Sequence, residues 1–143
     1  MARKKTHRNR LATPHTIGLM TDYQRLGGEP AVTALLDGLY SRVEADPLLA
    51  PLLQGIDLAC VKTHQFAVIS MALGGLHPYI GRPLAVAHAR LPITSRHFDA
   101  FLRHLEDVLR EIGASADLMT NVMARVTPLR GVIVNSHAEA AAR

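Results

Sequence analysis

The chain has one cysteine, no tryptophan, and only three phenylalanines and three tyrosines in 143 residues. Each shortage excludes something. A single thiol, Cys60, cannot close an internal disulfide and leaves no paired CxxC for redox chemistry or zinc. With so few aromatics, the core has to come from Leu, Val, Ile, Ala and Met, a set that favours helices. No apolar run reaches the roughly 20 residues of a membrane-spanning helix, because a charged residue or a histidine interrupts every stretch. The basic start, Met1 to Arg10, is not followed by the apolar region of a secretory signal, so the expected location is the cytoplasm. There is no phosphate-binding loop, dinucleotide fingerprint, internal repeat or low-complexity run.

What is present suits one globular domain: 48% hydrophobic and 20% charged residues are enough for a packed core. The formal charge of +4 suggests nucleic acid until it is divided along the chain. Arg3, Lys4, Lys5, Arg8 and Arg10 are five of the 16 basic residues, and the remaining 11 face 12 acidic ones. The basicity therefore belongs to an arm, residues 1–20, expected to be solvated and flexible, and the domain is expected over 21–143. No clear nucleic-acid partner follows from it.

The periodicity is helical throughout, with no sustained alternation of apolar and polar residues, which predicts an all-α fold. A short helix over Asp22 to Leu26 should end at Gly27 and Gly28. Pro30 opens a second helix whose buried face is Val32, Leu35, Leu36, Leu39, Tyr40 and Val43, ending near Pro47. A corner over Asp46 to Gly55 leads to a third helix from about Asp57 to Leu73. The stretch Gly74 to Pro92 reads mostly as loop, with a helical piece around Leu84 to Ala89; its length marks it as a candidate site. A helix from Thr94 to Gly113 follows. The last helix runs from Ser115 through Ile133, kinked at Pro128.

Polar residues on apolar faces point to chemistry. On a helical wheel Val61, His64, Gln65 and Val68 fall within about 100° of one another, so an imidazole and a carboxamide share an apolar stripe. Tyr40 poses the same question on the second helix. Singly, each is explained by a hydrogen bond at the edge of the core; together, inward polar groups on two helices suggest a ligand cavity. His88 stands between Ala87 and Ala89, where small neighbours leave room for something flat and bulky, with Leu84 and Ile93 as walls. A lone loop histidine is ordinarily solvated; a metal ligand is the sharper alternative. His97, His104, Asp107 and Glu111 share a helix face that zinc can use, although a wet helix flank explains them better. Cys60 belongs to no nucleophilic constellation and reads as an inert thiol.

The segments DYQRLGGEPAVTALLDGLYSRVEADPLLAPLLQGIDL, HQFAVISMALGG, HPYIGRPLAVAHARLPIT and HFDAFLRHL resemble a group I truncated haemoglobin, from about Tyr23 to about Ile133. The motifs that carry the likeness are the Gly-Gly after the first helix, the inward tyrosine, the Ala-Leu-Gly-Gly helix end, the Pro-Tyr-x-Gly-Arg loop and the Ala-His before Ile-Thr. The resemblance implies a two-over-two helical sandwich around haem b, iron protoporphyrin IX, that binds dioxygen, nitric oxide or carbon monoxide.

By that resemblance His88 is the proximal iron ligand, and Tyr40 and Gln65 are the distal hydrogen-bond donors to the gas. Val61 occupies the place where vertebrate globins carry a distal histidine, and with Val68 it lines the ligand side. Leu53, Leu84, Ile93 and Phe101 are implied as haem contacts. His64 stands where many relatives use a lysine toward a haem propionate and where some cyanobacterial members use a histidine as a sixth iron ligand; both roles stay open. Leu53 and Ile69 replace phenylalanines of the family pattern, with Phe101 available to fill part of the pocket. The resemblance also implies nitric oxide dioxygenation to nitrate, with an electron-donating reductase as a separate partner. The alternatives are a bis-histidine redox or gas-sensing protein using His64, and a helical interaction module without haem.

Overall fold

The computed structural model describes residues 20–75 and 87–143. Among these residues every regular element is helical. The basic arm and the helical piece expected around Leu84 lie outside them, apart from Met20 and from Ala87 to Ala89.

Helix α1 (Asp22–Leu26) begins with a reciprocal cap: Thr21 Oγ1 accepts from the Gln24 N–H and the Gln24 side chain accepts from the Thr21 N–H. It stops where the sequence placed the stop, because Gly27 (φ 126°) and Gly28 (φ 72°) take left-handed conformations that favour glycine. Helix α2 (Glu29–Ala45) has Pro30 in its first turn and buries Val32, Leu35, Leu36, Leu39, Tyr40 and Val43, the face read from the spacing. A 3-10 turn (Ala50–Leu53) makes the corner. Helix α3 (Leu58–Ala72) is capped by Asp57, whose carboxylate accepts from the Ala59 and Cys60 N–H groups.

Helix α4 (Ser95–Glu111) buries Phe98, Ala100, Leu105, Val108 and Leu109 and packs across α2. The two helices approach closely at Gly38, where a β-carbon would stand 3.0 Å from Val108 Cγ1. Helix α5 (Ala116–Val126) packs on α4, and the pair α2–α3 lies against the pair α4–α5. The shared core runs through Leu35, Leu39, Leu105 and Leu109, each at most 2% exposed.

The last expected helix reaches Ile133 as expected, and the kink at Pro128 takes the form of a break in the α hydrogen bonding. Pro128 lacks the N–H that would continue the helix, so α5 ends at Val126, a 3-10 turn covers Thr127–Leu129, and α6 (Arg130–Ile133) resumes. A further helix, α7 (Ser136–Ala141), was not expected; Asn135 caps it by accepting from the His137 and Ala138 N–H groups.

The first and fifth helices are joined by charge. The buried Asp22 carboxylate accepts from Arg125 (2.6 Å), Arg25 (3.0 Å) and Asn121 Nδ2 (3.3 Å). The bond from Arg125 holds the Asp22 carboxyl below its ordinary range, against the opposing effect of burial. A lowered folded value means that the stabilisation is complete above the unfolded value, about 3.9, and is lost as pH falls through the folded one. The melting temperature of the wild type should therefore fall steeply below about pH 4, and that of Asp22→Asn should start lower at pH 7 and fall less. Thermal unfolding between pH 3 and pH 7 measures both slopes.

Candidate functional site

Between the two helix pairs lies a cavity of about 580 Å³. Its size falls within the roughly 300–1,000 Å³ of small-molecule and cofactor sites. Tyr40 and Val43 of α2 face it, as do Val61, His64, Gln65, Val68 and Ile69 of α3, so the wheel stripe on α3 is a cavity wall. Leu53 comes from the corner, Ile93 and His88 from the segment before α4, and Phe101 from α4 itself. Of the ten residues expected at the site, nine line this one space; Leu84 lies outside the described residues.

The polar groups differ in setting. Tyr40 is 5% exposed, and burial pushes its phenol up to about 12, so it remains a neutral O–H donor throughout the physiological range. Its ring meets Phe101 edge-on, with centroids 6.4 Å apart and planes at 61°, a favourable arrangement for two quadrupoles that also fixes where the hydroxyl stands. Gln65 is half-buried and His88 is partly exposed, in a helical turn with Ala87. His64 is exposed at the cavity edge, where its Nδ1 lies 3.7 Å from Cys60 Sγ. The thiol read as inert thus lines the cavity beside an imidazole.

Other lining residues escaped the reading of the sequence. Leu52 and Ile56 come from the corner, and Val126, Leu129 and Ile133 from the chain end. These are ordinary apolar residues whose role depends on how the corner and the broken last helix fold back, and periodicity carries no signal for that. Arg90, His97 and Arg125 bring charge or polarity to the same lining.

The histidine and carboxylate face of α4 divides: Asp107 and Glu111 stand about half-exposed, as a wet flank requires, whereas His97 and His104 are partly buried. Among the described residues no group of three or more His, Cys, Asp or Glu side chains could hold a metal ion. His97 instead caps its own helix, its Nδ1 accepting from the Thr94 N–H at 2.9 Å. His104 Nε2 stands 2.7 Å from Asp46 Oδ2, both side chains about four-fifths buried. That bond holds the Asp46 carboxyl below its usual range, and Asp46 Oδ1 accepts from the Leu48 N–H, which fixes the corner that feeds Leu49, Leu52 and Leu53 to the cavity. Asp107 and Glu111 pair with Arg42 of α2.

The apolar slot between the two helix pairs thus takes an imidazole from the segment before α4 and a phenol and a carboxamide from the helical wall. The family model for Bacterial-like globin matches residues 21–135. Group 1 truncated hemoglobin GlbN of Nostoc sp. (strain MUN 8820) is 36% identical over 117 residues, covering 82% of this chain and 99% of the relative. Truncated hemoglobin from Tetrahymena pyriformis in the Fe(III) form superposes with a TM-score of 0.77 at 27% identity, over 81% of this chain and 99% of that one. The 2/2 hemoglobin from Synechococcus sp. PCC 7002, in the cyanomet state and with covalently attached heme, gives a TM-score of 0.74 at 31% identity over 79% and 95%. The chain belongs to the bacterial-like globins, among the group 1 truncated haemoglobins, and its fold is the two-over-two sandwich. Membership carries haem b as cofactor and the binding of diatomic gases in general. No helix among the described residues is long and apolar enough to cross a membrane.

Proposed function

We propose that this chain holds haem b through His88 and binds dioxygen, with nitric oxide and carbon monoxide as further ligands, under the Tyr40 hydroxyl and the Gln65 carboxamide. One observation carries the reading: an imidazole, a phenol and a carboxamide line the same apolar cavity. Bound ferrous haem supplies a reversible coordination site for a diatomic gas. The protein supplies everything else. The imidazole of His88 is the proximal base, as in other globins. Leu53, Ile93 and Phe101 exclude water from the haem faces, and Val61 and Val68 keep the ligand side apolar, so the two distal donors act in a low-dielectric space.

Nitric oxide dioxygenation belongs to this reading, with electrons from a separate reductase in the cytoplasm and residues 1–20 as a basic appendage to the domain. The test is an absorption spectrum of the purified protein supplied with haem, oxidised, reduced, and reduced under carbon monoxide. A Soret band that responds to reduction and to carbon monoxide is the expected result; no haem band sinks the reading and leaves a helical interaction module.

One observation favours a second reading. His64 lines the same cavity as His88 and, among the described residues, is engaged by a single 3.7 Å contact with Cys60, which leaves its imidazole available to a haem iron. As a reversible sixth ligand it would make the protein a bis-histidine redox or sensor globin, its apparent gas affinity reduced by the closed fraction. The discriminating variant is His64→Ala. A ferrous, gas-free spectrum that is six-coordinate in the wild type and five-coordinate in the variant establishes the gate, and faster carbon monoxide binding, by roughly tenfold for a 90% closed wild type, should accompany it. Identical spectra leave His64 as a propionate or solvent contact.

A further inference from the structure

The chain end is tied to the segment that follows His88. Asn135 Nδ2 donates to the Ala89 carbonyl at 3.0 Å and reaches the Leu91 carbonyl at 3.4 Å. The Asn135 backbone N–H donates to the Ile93 carbonyl at 2.8 Å. Further on, Glu139 Oε2 accepts from the Ser95 N–H at 2.6 Å. The Ala89 and Leu91 carbonyls lie where the turn carrying His88 ends, and a helix leaves its last acceptors without internal partners. Asn135 supplies donors there.

The other end of the same carboxamide is also used. Asn135 Oδ1 accepts from the His137 and Ala138 N–H groups at 2.9 and 3.1 Å, capping α7. Turning the amide over would set its NH2 against two N–H donors and its oxygen against two carbonyls, so only one orientation satisfies the network. One side chain therefore locks the last helix to the residue next to His88.

We infer that Asn135 is a positioning residue for His88, setting the approach of that imidazole to haem iron from the far end of the sequence. The inference rests on the reading that His88 holds haem. Aspartate separates the two jobs of the side chain: Asn135→Asp keeps an oxygen to cap α7 but loses the donor to Ala89 and Leu91, whereas Asn135→Ala loses both. Asn135→Ser, which caps but is too short to span to Ala89, serves if the carboxylate prevents folding.

The measurement is resonance Raman of the iron–histidine stretch immediately after photolysis of the carbon monoxide complex, when any sixth ligand is absent. It is joined by the rate of haem loss to an excess of apomyoglobin and by amide exchange of residues 88–93 in the haem-free protein. The expected result is a shifted or broadened band and haem loss roughly tenfold faster, the worth of one hydrogen bond, in Asn135→Asp and Asn135→Ala alike. Faster exchange at Leu91 and Ile93 should accompany it. Wild-type behaviour in Asn135→Asp and Asn135→Ser, with a change only in Asn135→Ala, overturns the inference and leaves Asn135 a helix cap. A wild type with no iron–histidine band overturns the haem reading itself, and this inference with it.

Discussion

His88→Ala should abolish the proximal bond: the variant purified with haem is expected to lose most of its Soret absorbance or to show an altered ferrous spectrum, and added imidazole should restore the wild-type form. The effect is large because the histidines of α4 are engaged elsewhere. His97, nine residues on, has its Nδ1 committed to the Thr94 N–H, and His104 is bound to Asp46 of the corner after α2. Loss of a metal ligand typically removes several kcal/mol of binding, and a proximal histidine is the principal covalent hold of a globin on haem. Absorption spectra and haem-transfer rates for both proteins, with and without imidazole, make the comparison. An unchanged spectrum without imidazole would mean that a different side chain holds the iron.

The second large effect concerns Tyr40. Tyr40→Phe removes one hydroxyl and keeps the ring that packs edge-on against Phe101, so the fold should be unaffected. Dioxygen is strongly polarised as a haem ligand and carbon monoxide weakly, so a hydrogen bond to the former carries charge-assisted strength, about 1.5–3 kcal/mol. Dioxygen should leave the variant roughly 10- to 100-fold faster, with carbon monoxide dissociation nearly unchanged. Stopped-flow displacement measures both. Adding Gln65→Leu tests whether the two donors act on the same atom: coupled donors give less than the product of the single effects. Equal dissociation rates in wild type and Tyr40→Phe would remove the phenol from the ligand's surroundings.

The neutral state of that phenol has a further consequence. With its pKa pushed up to about 12 by burial, Tyr40 remains a donor at every physiological pH.

Most of the architecture was legible because helices announce themselves locally. The buried face of α2 repeats at helical spacing, Thr21, Asp57 and Thr94 are caps that any reader of sequence looks for, and the Gly27-Gly28 stop needs only the conformational freedom of glycine. The stripe of α3 could be found for the same reason, since a wheel shows His64 and Gln65 among valines. What was not legible depends on contacts distant in sequence. His104 and Asp46 are 58 positions apart, and nothing in either neighbourhood reveals that they meet. The chain end was read only in part: the kink at Pro128 was legible, but the extended turn at Val134 that sends α7 back toward the His88 segment was not. Val126, Leu129 and Ile133, which precede that turn, line the cavity from the kinked segment itself.

The bare α-carbon at position 38 acts as a spacer for the wall that carries Tyr40. Because α2 and α4 touch there, the thickness of whatever residue stands at 38 sets how far α2 is held from its neighbour, and Tyr40 rides on that helix two residues later. A methyl group at this point would meet Val108 and displace α2, and Tyr40 with it, without entering the cavity. The seat of the Tyr40 phenol is thus set in part by a residue that has no side chain.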